Sequence, residues 1–217
     1  KGTPDPDWGD IPTDGAALNV IHSERGKGER SIPPGKYQVN VTRGFEYSAV
    51  EKEIEVSLKK PANLKISLQR TVNTKGWISA DLHLHAEPSS DAPAMLEDRV
   101  RSLLSAGVEV GVATDHNKVT DYRPAILALG MNTHVASMIG DEVTTADLLW
   151  GHFNVFPLEA DSEPLVYRNT LPSKIFAEAR SRKPLGKETI IQVNHPRMWD
   201  IGYFDILRLD GGDIDGW

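Results

Sequence analysis

Cysteine is missing from all 217 residues of the chain. Disulfides and thiolate metal sites are therefore excluded, and any metal must be held by nitrogen and oxygen ligands. No apolar run approaches membrane-spanning length. Dense Lys/Arg clusters are also lacking, and with a formal net charge of −7 this argues against nucleic acid as a partner. No Gly-x-Ser-x-Gly elbow occurs, so a serine or cysteine hydrolase has no support. Neither an internal repeat nor a signal peptide is visible. The chain starts at Lys1 rather than Met and is read as trimmed or excised from something longer.

What is present describes an ordinary globular protein, with 39% hydrophobic and 25% charged residues. Its length suggests one small and one medium domain, 1–75 and 76–217. Residues 1–16, rich in Pro, Gly and Asp, read as an irregular lead-in. From there to Thr71 the signals are those of strands: the apolar run Ala17–His22, then Tyr37–Thr42, Val50–Leu58 and Leu64–Leu68, which alternate. The expectation is a small antiparallel β-sandwich or part of one, with Thr71–Gly76 as linker.

After Gly76 the rhythm changes to strand–helix alternation, the mark of an α/β barrel or layered sheet. Strands are predicted over Ile78–Leu84, Val108–Thr114, His134–Ile139, His152–Leu158 and Thr189–Val193. Helices are predicted around Leu96–Leu103, Tyr122–Leu129 and Ser173–Ser181. Ser90 or Asp91 can cap the first helix, Pro93 suits its first turn, and Gly107 stops it.

Five of the seven histidines, and several acids, fall at strand ends or beside them. His83 and His85 share one face of the first strand, with Asp91 close behind. Asp115 and His116 end the second, Glu142 follows the third, His152 opens the fourth and His195 follows the fifth. In βα architectures that carboxyl edge is where active sites are built. Each residue also has a bland alternative: Asp91 as a helix cap, His116 bonded to its own turn, Glu142 as a solvated loop charge, His152 as surface. His195 precedes Pro196, which favours extended backbone there. His22 and His134 have no such company and receive no role.

The motifs Asp-Leu-His-Leu-His with Ser-Asp behind it, Ala-Thr-Asp-His-Asn, Gly-x-Glu, a strand-opening His and Asn-His-Pro together resemble the PHP (polymerase and histidinol phosphatase) superfamily of metal-dependent hydrolases. Gly-Trp-x-Ser-Ala-Asp-Leu-His behind a β-module is similar to its CehA/McbA-like branch. The stretch Pro-Pro-Gly-Lys-Tyr-x-Val-x-Val resembles carboxypeptidase-regulatory or transthyretin-like modules, common outside the cytoplasm. The first resemblance covers roughly residues 76 to 200 and implies a distorted (β/α)7 barrel holding two or three divalent transition metals (Zn, Mn or Fe). By that likeness His83, His85 and Glu142 serve one ion. Glu142 bridges to a second ion held by His152 and His195, and Asp91 and His116 belong to a third. The superfamily's closing Asp-x-His motif is missing, because no histidine follows His195. The barrel expected here is therefore incomplete, with the rest supplied by a carboxyl-terminal half or a second polypeptide.

The chemistry expected is hydrolysis of a small-molecule phosphoester, or of a carbamate or amide ester, by a metal-activated water. Glu142 is placed at the reaction centre and Asp115 orients a ligand imidazole. Lys118 and Arg197, just past ligand positions, are candidates to hold an anionic substrate. The resemblances place the protein outside the cytoplasm. The rival reading is a noncatalytic protein with a degenerate barrel, in which the β-module binds a partner or glycan.

Overall fold

The computed structural model describes residues 19–209. It is a mixed α/β structure with three small sheets and no closed barrel among the described residues. The chain forms two compact units that do not follow sequence order. No helix among the described residues is long and apolar enough to cross a membrane.

One unit comprises residues 19–80, Pro93–Val110 and Ala125–Ala136. Its sheet is a single antiparallel hairpin, β1 (Gly35–Val41) and β2 (Val50–Val56), with Gly35 opposite Val56. Alternate side chains of β1 are half-buried and exposed, as the sequence predicts for a one-sided strand. Among the described residues no second sheet completes a sandwich. Leu64–Leu68 joins no ladder, isolated bridges link Tyr47 with Arg70 and Ser57 with Lys60, and residues 19–22 of the first apolar run form no strand. The hairpin also ends at Val56, and Leu58 is exposed. With no second sheet to cover it, no described residue before Leu84 is fully buried. The unit's buried apolar residues come instead from α1 (Leu96–Ala106), α2 (Arg123–Ala128) and their flanks: Val100, Leu103, Ala125, Ile126, Met131 and Val135.

Helix α1 keeps the predicted stripe of Leu96, Val100 and Leu103. It stops at Gly107, whose left-handed φ of 74° lets its N–H reach the carbonyls of Leu103 and Leu104. Its start differs from expectation. The residue before the first turn is Met95, without a side-chain cap, so neither Ser90 nor Asp91 caps it.

The other unit comprises Asp81–Ala92, Gly111–Pro124 and residues 137–209. Strands β3 (Ala80–Leu84), β4 (Val110–Ala113) and β5 (Ala136–Ile139) form one sheet in that order. A second sheet is antiparallel, with β6 (Asp141–Thr144), β7 (His152–Phe156) and β8 (Ile190–Val193) side by side. Two more helices follow, α3 (Pro172–Arg182) and α4 (Tyr203–Leu209), the latter unforeseen in the sequence.

The antiparallel sheet has two chemically opposite faces, set by the period-two alternation of its strands. Val143, Phe153 and Val155 point to one face and join Leu158, Leu165, Ile175, Ala179 and Tyr203 in an apolar core cluster. The Phe153 ring meets Phe176 and Tyr203 edge-on, both at 5.1 Å between centroids. Glu142, Thr144, His152, Asn154, Gln192 and Asn194 point to the other face. That polar face carries the chemistry.

Candidate metal centre

Glu142 is the hub. It lies inside β6 rather than on the loop expected after a strand, and its side chain is fully buried. The cause is Gly140. A Cβ there would crowd the carbonyl oxygens of Ala113 in β4 and Val155 in β7, both at 3.0 Å, so glycine eases the close passage of the corner between β5 and β6 past these two strands. The run that reads as one strand and a loop is thereby two strands in two sheets.

Five imidazoles face the two oxygens of this one carboxylate. Oε2 is 3.0 Å from His83 Nε2, 2.8 Å from His85 Nε2 and 3.3 Å from His116 Nδ1. Oε1 is 3.1 Å from His152 Nδ1 and 3.6 Å from His195 Nε2. The rings form a circuit in the order His83, His85, His116, His152, His195 and back to His83. Neighbouring centroids are between 4.6 and 6.2 Å apart. Asp91 stands at its edge, with Oδ1 3.0 Å from His85 Nδ1 and Oδ2 3.3 Å from His116 Nε2. The Ser89 hydroxyl donates to Asp91 at 2.7 Å and accepts the His116 backbone N–H.

Burial pushes the Glu142 carboxyl up. Hydrogen bonds from His152, His83, His85 and Asn194 outweigh it and hold the group far below the ordinary carboxylate range. Glu142 is therefore ionised at neutral pH. Burial also pulls His85 down, but its bonds to Glu142 and Asp91 win and raise it. At His116 and His195 burial prevails and favours neutral rings, the form that offers a lone pair to a cation.

All seven residues expected as ligands thus converge. Three groups have ligand atoms within 4.8 Å of one another: His83–His85–Glu142, His85–Asp91–His116 and His116–Glu142–His152. The first agrees with the expected grouping, and the second contains the expected Asp91–His116 pair but adds His85, which was expected on the first ion. The third joins His116, rather than His195, to Glu142 and His152: His116 Nδ1 faces Oε2, while His195 Nε2 stands 3.6 Å from Oε1 beside His152. The donors are nitrogen and oxygen throughout, which suits borderline divalent metals. The buried Nδ1 of His195 has no hydrogen-bond partner. Its φ of 27° is left-handed, against the extended backbone expected before a proline. The tight turn after β8 imposes this, closed by Met198 N–H to His195 O at 3.0 Å and Phe204 N–H to Pro196 O at 3.1 Å. Strain of this kind collects at functional sites.

Asp115 is fully buried. Its Oδ1 accepts the backbone N–H of Ala86 at 2.7 Å and the Tyr122 hydroxyl at 3.3 Å. It thus positions His85 through the main chain next to it, whereas orientation of an imidazole ring was expected. Burial raises its carboxyl above the usual range despite these donors and that of Thr120. Lys118 and Arg197 are exposed, and neither side chain is paired with an acid among the described residues.

Asn117, Asn154, Asn194, Ser89 and Tyr122 support the centre without having been singled out. Asn117, at a left-handed φ of 52°, bonds Thr144 N–H and O with its side-chain amide and so ties the β4 end to β6. Asn154 could have been found by period-two spacing from His152, and Asn194 by its place beside His195. Ser89 and Tyr122 carried no such signal. No family model, curated protein or solved structure matches this chain.

Proposed function

We propose that this chain is a metal-dependent hydrolase of the PHP type. Glu142 carries the reading: one buried, ionised carboxylate with both oxygens faced by imidazoles from four separate stretches of chain. A shared anion among nitrogen donors is the arrangement that holds two cations close together. Two or three divalent transition ions (Zn, Mn or Fe) fit the donor set, with His83, His85, Asp91, His116, Glu142, His152 and His195 as ligands. Bound there, they would supply a water that ionises near neutral pH and positive charge opposite the developing oxyanion.

The protein's own groups do the rest. Glu142 couples the ion positions, Asp91 and Ser89 tie His85 and His116 together, and Asp115 holds the backbone beyond His85. Lys118 and Arg197 supply cationic side chains for an anionic small molecule, a phosphoester or a carbamate or amide ester. In this reading residues 76–217 are part of a distorted (β/α)7 barrel. Residues 1–75 are an accessory module and the setting is extracytoplasmic.

The test is bound metal after dialysis, together with turnover of a chromogenic phosphate ester. His83→Ala and Glu142→Ala should each lose metal and reduce turnover by roughly 100-fold or more. Wild-type protein that retains no metal, or turnover indifferent to both substitutions, overturns the proposal in favour of a binding protein.

A further inference from the structure

Beneath Glu142 lies a row of buried amides that no ligand role accounts for. Glu142, Asn154 and Gln192 stand opposite one another across β6, β7 and β8. Asn194 is two residues beyond Gln192 on the same face. The Asn194 amide N–H₂ donates to Glu142 Oε1 at 2.9 Å and to Asn154 Oδ1 at 2.6 Å. Its Oδ1 accepts from Gln192 Nε2 at 3.0 Å. Asn154 Nδ2 in turn donates to the carbonyl of Leu82, one residue before His83, at 2.8 Å. Asn154 and Asn194 are both buried.

The direction of this chain matters. The Gln192 donor fixes the Asn194 oxygen away from Glu142, so its N–H₂ and not its carbonyl faces the carboxylate. An amide nitrogen has no lone pair to give a cation. The imidazoles around Glu142 must exchange their hydrogen bonds for ion contacts when cations bind, but the Asn194 bond can persist. It also touches only Oε1, leaving Oε2 to His83, His85 and His116.

We infer that Asn194, locked by Gln192 and Asn154, is the positioning residue that fixes the rotation of Glu142 and so sets metal affinity. This rests on the metal-centre reading above. The same chain reaches Leu82 O, so it couples the orientation of the carboxylate to the strand that carries His83 and His85.

The test is Zn²⁺ affinity of the full chain by competition with a chromophoric chelator, alongside thermal melting in EDTA. Asn194→Ala should weaken Zn²⁺ binding by about 10- to 100-fold, the range for groups that orient a ligand. Asn194→Asp keeps the shape but sets an acceptor against Glu142, and should lose as much. Gln192→Ala should lose less, and the double variant Gln192→Ala/Asn194→Ala should be no worse than Asn194→Ala alone. Wild-type affinity in folded Asn194→Ala, recovery in Asn194→Asp, or additive losses in the double variant would each overturn the inference. If Asn194→Ala does not fold, the half-buried Gln192→Ala decides: unchanged Zn²⁺ affinity overturns it. Wild-type protein that binds no Zn²⁺ sinks the metal reading itself, a result distinct from all of these.

Discussion

Glu142 and its neighbour Asp141 are adjacent acids with opposite fates. Glu142 faces imidazoles and stays ionised. Asp141 points to the apolar side of the sheet, where Oδ2 accepts the Leu165 N–H at 3.0 Å. Burial raises its carboxyl from 3.8 to about 7. A raised acid binds more protons folded than unfolded, so its contribution to stability is complete below pH 4 and is lost as pH rises through 7. Asp141→Asn removes that dependence. In EDTA, the stability of the variant relative to wild type should therefore climb between pH 4 and pH 7, as read by urea melts. A second expectation concerns Glu142→Gln, which keeps the size and removes the charge. It should abolish metal retention on dialysis, measured by elemental analysis, while the fold by circular dichroism persists. At this scale the sequence was informative about residue type, since all seven ligand candidates converge. It did not distinguish Asp141 from Glu142 by environment, because one residue of strand register reverses which acid faces the core.

At the scale of elements, two glycines decide where the pieces stop. Gly107→Ala forces a Cβ into a left-handed end of α1 and should cost about 1 kcal/mol, lowering the melting temperature by roughly 2–4 °C. Gly140→Ala is the more telling change, because the added methyl meets two backbone oxygens. It should cost roughly 1–3 kcal/mol and, by shifting β6, reduce Zn²⁺ affinity as well as stability. Calorimetry and chelator competition on the same samples check both. Helices α1, α2 and α3 were legible from apolar spacing and, for α1, its stopping glycine, whereas Pro93, expected in the first turn of α1, lies before Met95 and outside the helix. Strand ends were less so: His134–Leu158 hides the corner at Gly140, and Leu64–Leu68 alternates correctly yet pairs with nothing. Alternation shows that a strand is possible, whereas pairing depends on a partner that local sequence does not name.

For the whole molecule, the cluster draws its ligands from five stretches of chain between His83 and His195, so cations that bind it bind only the folded state. Zn²⁺ or Mn²⁺ at about 100 times the dissociation constant should stabilise the protein by about 2.7 kcal/mol. Thermal shift in wild type, absent in Glu142→Ala, checks this. Removing metal with EDTA should lower the melting temperature without unfolding the protein at 25 °C, because the apolar cluster around Phe153 on the opposite face of the sheet does not depend on ligands.

Residue chemistry and period were determined by the sequence alone: no thiolate ligands, histidines at strand ends, an alternation that separates a polar from an apolar face. What only the tertiary structure decided is which of these meet. The closing of five imidazoles around one carboxylate, the amide row beneath it and the burial of Asp141 depend on strands distant in sequence coming into register. The unpaired segment before β3 shows the other side of the same rule. Its strand pattern is sound, but without a second sheet to bury it there is no free energy to order a sandwich.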